Sequence, residues 1–290
     1  MSLIEKINDF ASWIFSPIVR KGDPIVSVIN LNGVIGSVGF GRKGINLNDL
    51  ESSLKRAFNK RGVDAVVLKI NSPGGSPVQS EMISRRIQQL SEEKGIPVFS
   101  FVEDLAASGG YWLACSADEI YVSSMSIVGS IGVISASFGF NQLIDKIGVE
   151  RRIYAQGRNK SMLDPFRPED PEHVERLLTL QEDIHQSFRE FVKERRKDKL
   201  HDTDENLFNG DIWTGNQAKE VGLVDEIGEM RSVMQEKYGL KTKFIEIPLK
   251  SGWIQKTLSG TNTVPSKEAR IINEFLSSIQ ERLMWSRYNF

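Results

Sequence analysis

Residues 65–79 read Ala-Val-Val-Leu-Lys-Ile-Asn-Ser-Pro-Gly-Gly-Ser-Pro-Val-Gln. The first six form a near-continuous apolar run, as expected of a strand covered on both faces. Asn71-Ser-Pro-Gly-Gly75 breaks that strand, and a helix is predicted from Ser76 to Lys94. Ser76 suits the N-cap, Pro77 the first helical position, and Gln79 completes a capping box with Ser76. Gly95 is placed to end the helix. Strand, glycine turn and helix in succession are the repeating unit of a largely parallel α/β sheet.

The same alternation continues on both sides. Ile25–Leu31 reads as a strand and Leu47–Lys60 as a helix with Leu50, Leu54 and Phe58 on one face. After the central unit come a strand at Pro97–Val102, a helix at Ala106–Ala117 and a strand at Glu119–Ser123. Gly132–Ala136 and Arg151–Tyr154 are expected to add further strands. A long helix is predicted from Pro171 to Arg196, with Asp170 as N-cap and a stripe of Val174, Leu177, Ile184, Phe188 and Phe191.

The ends differ in character. Residues 1–24 read as an amphipathic segment, with Leu3, Ile7, Phe10, Ile14 and Ile18 at helical spacing. It is expected to pack on the protein or a neighbouring subunit, or to touch a membrane surface. A main domain is expected over 25–248. Residues 249–290 divide into a polar linker and a last amphipathic helix ending in Trp285, Tyr288 and Phe290, expected to pack on the body or a neighbour, or to contact a peptide or membrane.

Composition narrows the function. The 290 residues carry 37 Lys and Arg against 38 Asp and Glu, a formal charge of −1. That balance, without a long basic run, argues against a nucleic-acid partner. Cys115 is the single cysteine, so intrachain disulfides and CxxC metal sites are excluded. His173, His185 and His201 form no metal-binding pattern and are expected at solvent-facing positions of the long helix or beyond it. No apolar stretch reaches the roughly 18–20 residues that span a bilayer. Phe10–Val19 is half that length and contains Pro17, while Glu5 and Asp9 spoil it as a signal peptide. A cytoplasmic protein is expected, either free or peripheral to the membrane, with neither cofactor nor metal.

Two glycine turns carry the chemistry. In Asn71-Ser-Pro-Gly-Gly75 the glycines let the backbone approach a ligand and turn N–H groups outward. In Ala106-Ala-Ser-Gly-Gly110, after the next strand, Ser108 sits among residues too small to cover it at the start of a helix. Both turns lie at carboxyl ends of strands, where open α/β sheets bind ligands. A serine nucleophile needs a base; with so few histidines, a lysine kept neutral by burial is the available kind. Other patterns weigh less. Gly39-x-Gly41-x-x-Gly44 resembles a dinucleotide fingerprint, but Gly44 precedes the helix signals at Asn46–Asp49, so a flexible loop is expected. The pairs Ser52/Lys55 and Ser91/Lys94 fall on polar helix faces and read as accidental.

Five stretches together resemble peptidase family S49, the signal peptide peptidase A type of serine protease. They are Ile70–Gly75, Leu105–Cys115 (LAASGGYWLAC), Val128–Val133 (VGSIGV), Ala155–Ser161 (AQGRNKS) and Trp213–Gly228 (WTGNQAKEVGLVDEIG). The similarity covers roughly residues 25–245. The resemblance implies an α/β fold of the Clp protease and crotonase group, a repeated β-β-α superhelix with a helical extension. It implies a Ser/Lys dyad with Ser108 as nucleophile, Lys160 as general base and Ser130 supporting the lysine amine. It also implies an oxyanion hole from the backbone N–H groups of Gly75 and Gly109, which agrees with the outward N–H groups read from the two turns.

The expected function is ATP-independent serine endopeptidase action on extended peptides, such as signal peptide remnants or unfolded segments. Relatives of this length imply a ring-like homo-oligomer with serine and lysine from adjacent copies, and one catalytic unit per chain. Family members commonly carry a membrane-spanning helix, which this sequence lacks. Two alternatives stand beside this reading. An acyl-CoA enzyme of crotonase type shares the glycine-rich oxyanion hole but usually needs a carboxylate where Ser108 stands. A non-catalytic membrane-associated scaffold would have no use for Ser108 and Lys160.

Overall fold

The computed structural model describes residues 22–36 and 44–249, together with Trp285 and Tyr288. Most of the amphipathic segment 1–24 and of the region 249–290 lies outside the described residues, as do Gly39 and Gly41 of the glycine loop.

Four strands build the centre: β1 (Ile25–Asn32), β2 (Val63–Ser72), β3 (Val98–Ala107) and β4 (Glu119–Val122). They alternate with helices α1 (Leu47–Phe58), α2 (Pro77–Lys94) and the short α3 (Gly109–Ala114). β1, β2, β3 and β4 pair in parallel. The apolar run in β2 behaves as its composition demands. Val66, Leu68 and Ile70 face the helices α1 and α2, while Ala65 and Val67 face a second cluster with Val26, Val28, Phe99 and Tyr121. Each such side chain contributes about 1.5–3 kcal/mol by leaving water, so β2 is a large share of the core.

One irregularity decides where the site lies. β2 and β3 pair Ile70 with Val102, but next pair Ser72 with Ala106. The extra residues on β3 form a bulge, which bends a strand and redirects it. Before the bend, Phe99–Val102 lies beside β4. After it, Leu105–Ala107 lies beside a new strand, β5 (Ile127–Gly129). β5 then pairs antiparallel with β6 (Ile212–Thr214). The other edges are closed by β7 (Glu226–Ile227) on β4 and β8 (Lys243–Glu246) on β1.

Among the described residues five further α-helices follow α3, with α6 (Asp204–Leu207) a single turn. α4 (Asn141–Lys146) and α5 (Pro171–Arg196) come before it, α7 (Gly215–Glu220) and α8 (Met230–Tyr238) after it. α5 starts as expected, with the Asp170 side chain accepting from the Glu172 N–H. Its stripe is used mainly at the far end: Phe188 is buried and half-buried Phe191 joins it in stacking on Trp112, whereas Val174 and Leu177 are only half-buried and Ile184 is exposed.

Several expectations need correction. Gly132–Ala136 and Arg151–Tyr154 are not strands, because no described strand lies beside them. The helix expected over Ala106–Ala117 is confined to Gly109–Ala114, since Ala106 and Ala107 are held in β3 by β5. Ser76 does cap α2, and Gly95 ends it in the left-handed conformation. Gln79, however, does not close a capping box: its side-chain oxygen accepts from the Leu47 N–H and caps α1 instead.

Candidate active site

Ser108 stands at the N-terminus of α3 with φ 51° and ψ −121°. A non-glycine residue in this region carries strain of about 1–3 kcal/mol, which persists only where surrounding structure enforces it. Here the Ser108 N–H donates to the Gly129 carbonyl (2.7 Å) and its own carbonyl accepts from Trp112 (3.0 Å). The hydroxyl makes no capping bond to α3 and remains half-exposed.

The Ser-Pro-Gly-Gly turn presses directly on this serine. A Cβ on Gly74 would lie 2.8 Å from the Gly109 nitrogen and 2.9 Å from the Ser108 Cβ. One on Gly75 would meet the Ile35 carbonyl oxygen at 2.1 Å, and one on Gly109 would meet Ser80 Oγ at 2.4 Å. Only glycine fits at all three. The Ile35 N–H donates to Gly74 and the Ser76 N–H to Ile35, so by alternation the Gly75 N–H points the other way. Gly109 is the first residue of α3, where an N–H has no intrahelical acceptor. Among the described residues nothing accepts from either group. A Cβ on Gly109 would also lie 3.4 Å from the Gly75 nitrogen, so the two free N–H groups are close neighbours beside Ser108.

Ser130 joins them through the sheet. Ala107 pairs with Gly129, which places Ser108 and Ser130 side by side at the next register step. Ser130 has the same φ of 51°. Its N–H donates to the Asp211 carbonyl (2.6 Å), and its hydroxyl accepts from the Tyr288 hydroxyl (3.1 Å). The following carbonyl, Ile131, contacts His185 Nε2 at 3.2 Å, so His185 turns inward rather than to solvent as expected.

Lys160 is elsewhere. It lies in the exposed turn after Gly157, where its N–H donates to the Gly157 carbonyl (3.1 Å). Its ammonium makes no hydrogen bond or ion pair with a described residue, and so reaches neither Ser108 nor Ser130. The single chain therefore brings together Ser108, Ser130, Gly75 and Gly109 but not Lys160.

Cys115 offers no second nucleophile. It is buried in the core, and desolvation pushes its thiol up to about 11. The conspicuous stretch 213–228 proves structural around its acid. Asp225 accepts from the buried Arg196 (2.7 Å), from Lys199 (2.5 Å) and from the Ile120 N–H (2.7 Å). Among the described residues no cluster of acidic, cysteine or histidine side chains could hold a metal. Nor is any helix there long and apolar enough to cross a membrane.

The model of Peptidase family S49 matches residues 91–242. A protein of Brucella abortus named Na(+)/H(+) antiporter NhaA is 45% identical over 276 residues, 93% of this chain but 37% of its own length. A putative signal peptide peptidase SppA of Enterococcus faecium is 33% identical over 207 residues, 69% of this chain and 59% of that one. A putative protease of Synechocystis is 31% identical over 223 residues, covering 77% of this chain and 76% of that one. The chain thus spans between about a third and three fifths of the first two relatives. Among solved structures, a lysine-to-alanine mutant of the 1510-N membrane-bound stomatin-specific protease, in complex with a substrate peptide, matches 89% of this chain with TM-score 0.48 and 16% identity. The chain belongs to peptidase family S49.

Proposed function

We propose that this chain is an ATP-independent serine endopeptidase whose active site is completed between two copies. The observation that carries the reading is the backbone of Ser108. It is strained, its half-exposed side chain makes no capping bond to α3, and it is flanked by two N–H groups that no described residue uses.

The chemistry follows from those atoms. Ser108 Oγ attacks the carbonyl carbon of an extended peptide, and its proton passes to the Lys160 amine. The Gly75 and Gly109 N–H groups hold the oxyanion, an interaction worth about 10²–10³ in rate per donor in comparable sites. The carbon–nitrogen bond then breaks, with the proton returned from Lys160 to the leaving amine. Water, deprotonated by the same lysine, then attacks the acyl carbon, and the bond to Ser108 Oγ breaks as the lysine returns that proton to the serine. Ser130 orients the lysine amine.

Lys160 belongs to a segment that leaves the body of its own chain. Residues 133–172 are mostly exposed, including Ile134, Phe138, Leu143, Ile147 and Tyr154. A cleft of about 720 Å³ lined by Ile144, Val149 and Phe166 opens on the same segment. So much unburied apolar surface favours a second copy as occupant. A ring-like homo-oligomer would bury it and carry Lys160 of one copy to the serine pair of the next. Location in the cytoplasm, peripheral to a membrane or not, belongs to the same proposal and rests on the sequence alone.

The test is labelling of the purified protein with a serine-directed fluorophosphonate, read alongside cleavage of an unfolded protein. The proposal expects label on Ser108 and loss of both label and cleavage in Ser108→Ala. Cleavage that survives Ser108→Ala would reject it. So would acyl-CoA turnover without peptide cleavage.

A further inference from the structure

The site described above is not empty of side chains: the far end of the chain occupies it. Tyr288 is 158 residues from Ser130 in sequence, yet its hydroxyl donates to Ser130 Oγ at 3.1 Å. Tyr288 is only 7% exposed, and it forms a small apolar cluster with Leu105 and Ala107, against which Ile127 and Trp285 pack. Leu105 and Ala107 belong to the bent end of β3 that delivers Ser108, and Ile127 begins the strand that delivers Ser130. The aromatic residues therefore sit on the apolar floor beside both serines. Their own turn is held by the Tyr288 N–H donating to the Trp285 carbonyl (2.9 Å).

We propose that Trp285 and Tyr288 form a built-in plug, which holds the site closed by keeping Tyr288 on Ser130 where the base of a neighbouring copy must come. This rests on the reading of Ser130 as the partner of the lysine amine. A serine hydroxyl has two acceptor positions, so the hydrogen bond by itself does not exclude a second partner. The phenol ring does, because it fills the space next to Oγ. Engagement of Lys160 then requires the ring to leave. An extended peptide that displaced Tyr288 from Leu105, Ala107 and Ile127 would at once take an apolar subsite and clear Ser130. The plug thus couples binding of an apolar peptide segment to assembly of the dyad, and keeps the isolated enzyme quiet.

Two full-length variants test this. Tyr288→Phe keeps the ring but loses the hydroxyl; one hydrogen bond of this kind corresponds to a shift of roughly three- to tenfold in the plug equilibrium. Peptide cleavage is expected to rise by that factor, with a larger rise in Trp285→Ala/Tyr288→Ala. Hydrogen–deuterium exchange gives a readout independent of activity. The peptide containing Trp285 and Tyr288 should be protected in the parent chain and lose protection in the double variant. Unprotected residues in the parent, or protection combined with cleavage no faster in either variant, would overturn the proposal. A slower Tyr288→Phe enzyme would also overturn it, by making the tyrosine a support for Ser130 instead. Protection and its loss in a protein that cleaves no peptide in any form would leave the docking standing and reject the peptidase reading on which the closing role depends.

Discussion

Ser108 and Ser130 stand side by side with the same φ of 51°, one step beyond the paired residues Ala107 and Gly129. Each follows the last residue of a parallel strand, and each is pulled out of the sheet by one backbone bond, to Gly129 for Ser108 and to Asp211 for Ser130. The strain therefore has a source in the sheet itself. The bend in β3 sets both serines at once, because the strand that carries Ser108 is also the one that aligns β5.

That strain makes stability and activity oppose each other. Glycine adopts positive φ without penalty, so Ser108→Gly is expected to stabilise the fold by about 1 kcal/mol, net of its greater unfolded-state entropy, while abolishing cleavage. Ser130→Gly should also stabilise, with a smaller loss of rate. Urea midpoints at constant m-value would show this. A destabilised Ser108→Gly protein would mean that the serine backbone is relaxed and was not selected for reactivity.

Gly109→Ala should damage both folding and rate. The new Cβ would lie 2.4 Å from Ser80 Oγ and crowd the Gly75 nitrogen. Overpacking of this kind costs about 1–3 kcal/mol, and disturbing an oxyanion donor costs about 10²-fold or more in kcat. Adding Ser80→Ala removes the closest clash. Thermal melts should then recover more fully than kcat does. Full recovery of kcat would show that the Ser80 contact alone causes the loss and that a Cβ beside the Gly75 nitrogen leaves the oxyanion donors in place.

Acid should unfold the protein partly through Asp225. Burial opposes its charge, but hydrogen bonds from Arg196, Lys199 and the Ile120 N–H more than compensate and hold the carboxyl below its ordinary value of 3.8. A carboxylate depressed in the folded state adds stability above the unfolded value, lost as pH falls through the folded one. Stability should therefore hold at neutral pH and drop below about pH 4. Asp225→Asn leaves Arg196, itself almost fully buried, without its partner, and should cost about 3 kcal/mol at pH 7. The gap between variant and parent should narrow on acidification; a gap that stays constant down to pH 3 would assign the loss to packing instead.

The sequence made the centre of the fold readable because there the local signals agree with the tertiary structure. The apolar run 65–70, the Ser76 cap and Gly95 all act where they were expected. Both glycine turns were legible for the same reason: close approach at Gly74 and Gly75 in one, and at Gly109 and Gly110 in the other, leaves no room for a side chain. Reading failed where a partner decides. Gln79 fits a capping box but finds the Leu47 N–H instead. β5 has three residues, too few for any period, and exists because β3 bends toward it. The stretches 132–136 and 151–154 have strand composition but, among the described residues, no neighbour to pair with. Tyr288 carried only the signal of an aromatic ending, which says nothing of Ser130.

The claim that the site is shared between copies has one direct measurement. Ser108→Ala and Lys160→Ala, each inactive alone, are co-expressed with different tags and the mixed oligomer is isolated through both. Random mixing in a ring pairs an intact Ser108 with an intact Lys160 at about a quarter of the sites. The account predicts peptide cleavage restored towards that fraction of the parent rate. A mixed oligomer, confirmed by both tags, that cleaves no more than either variant alone would contradict it, and would place serine and base within one chain.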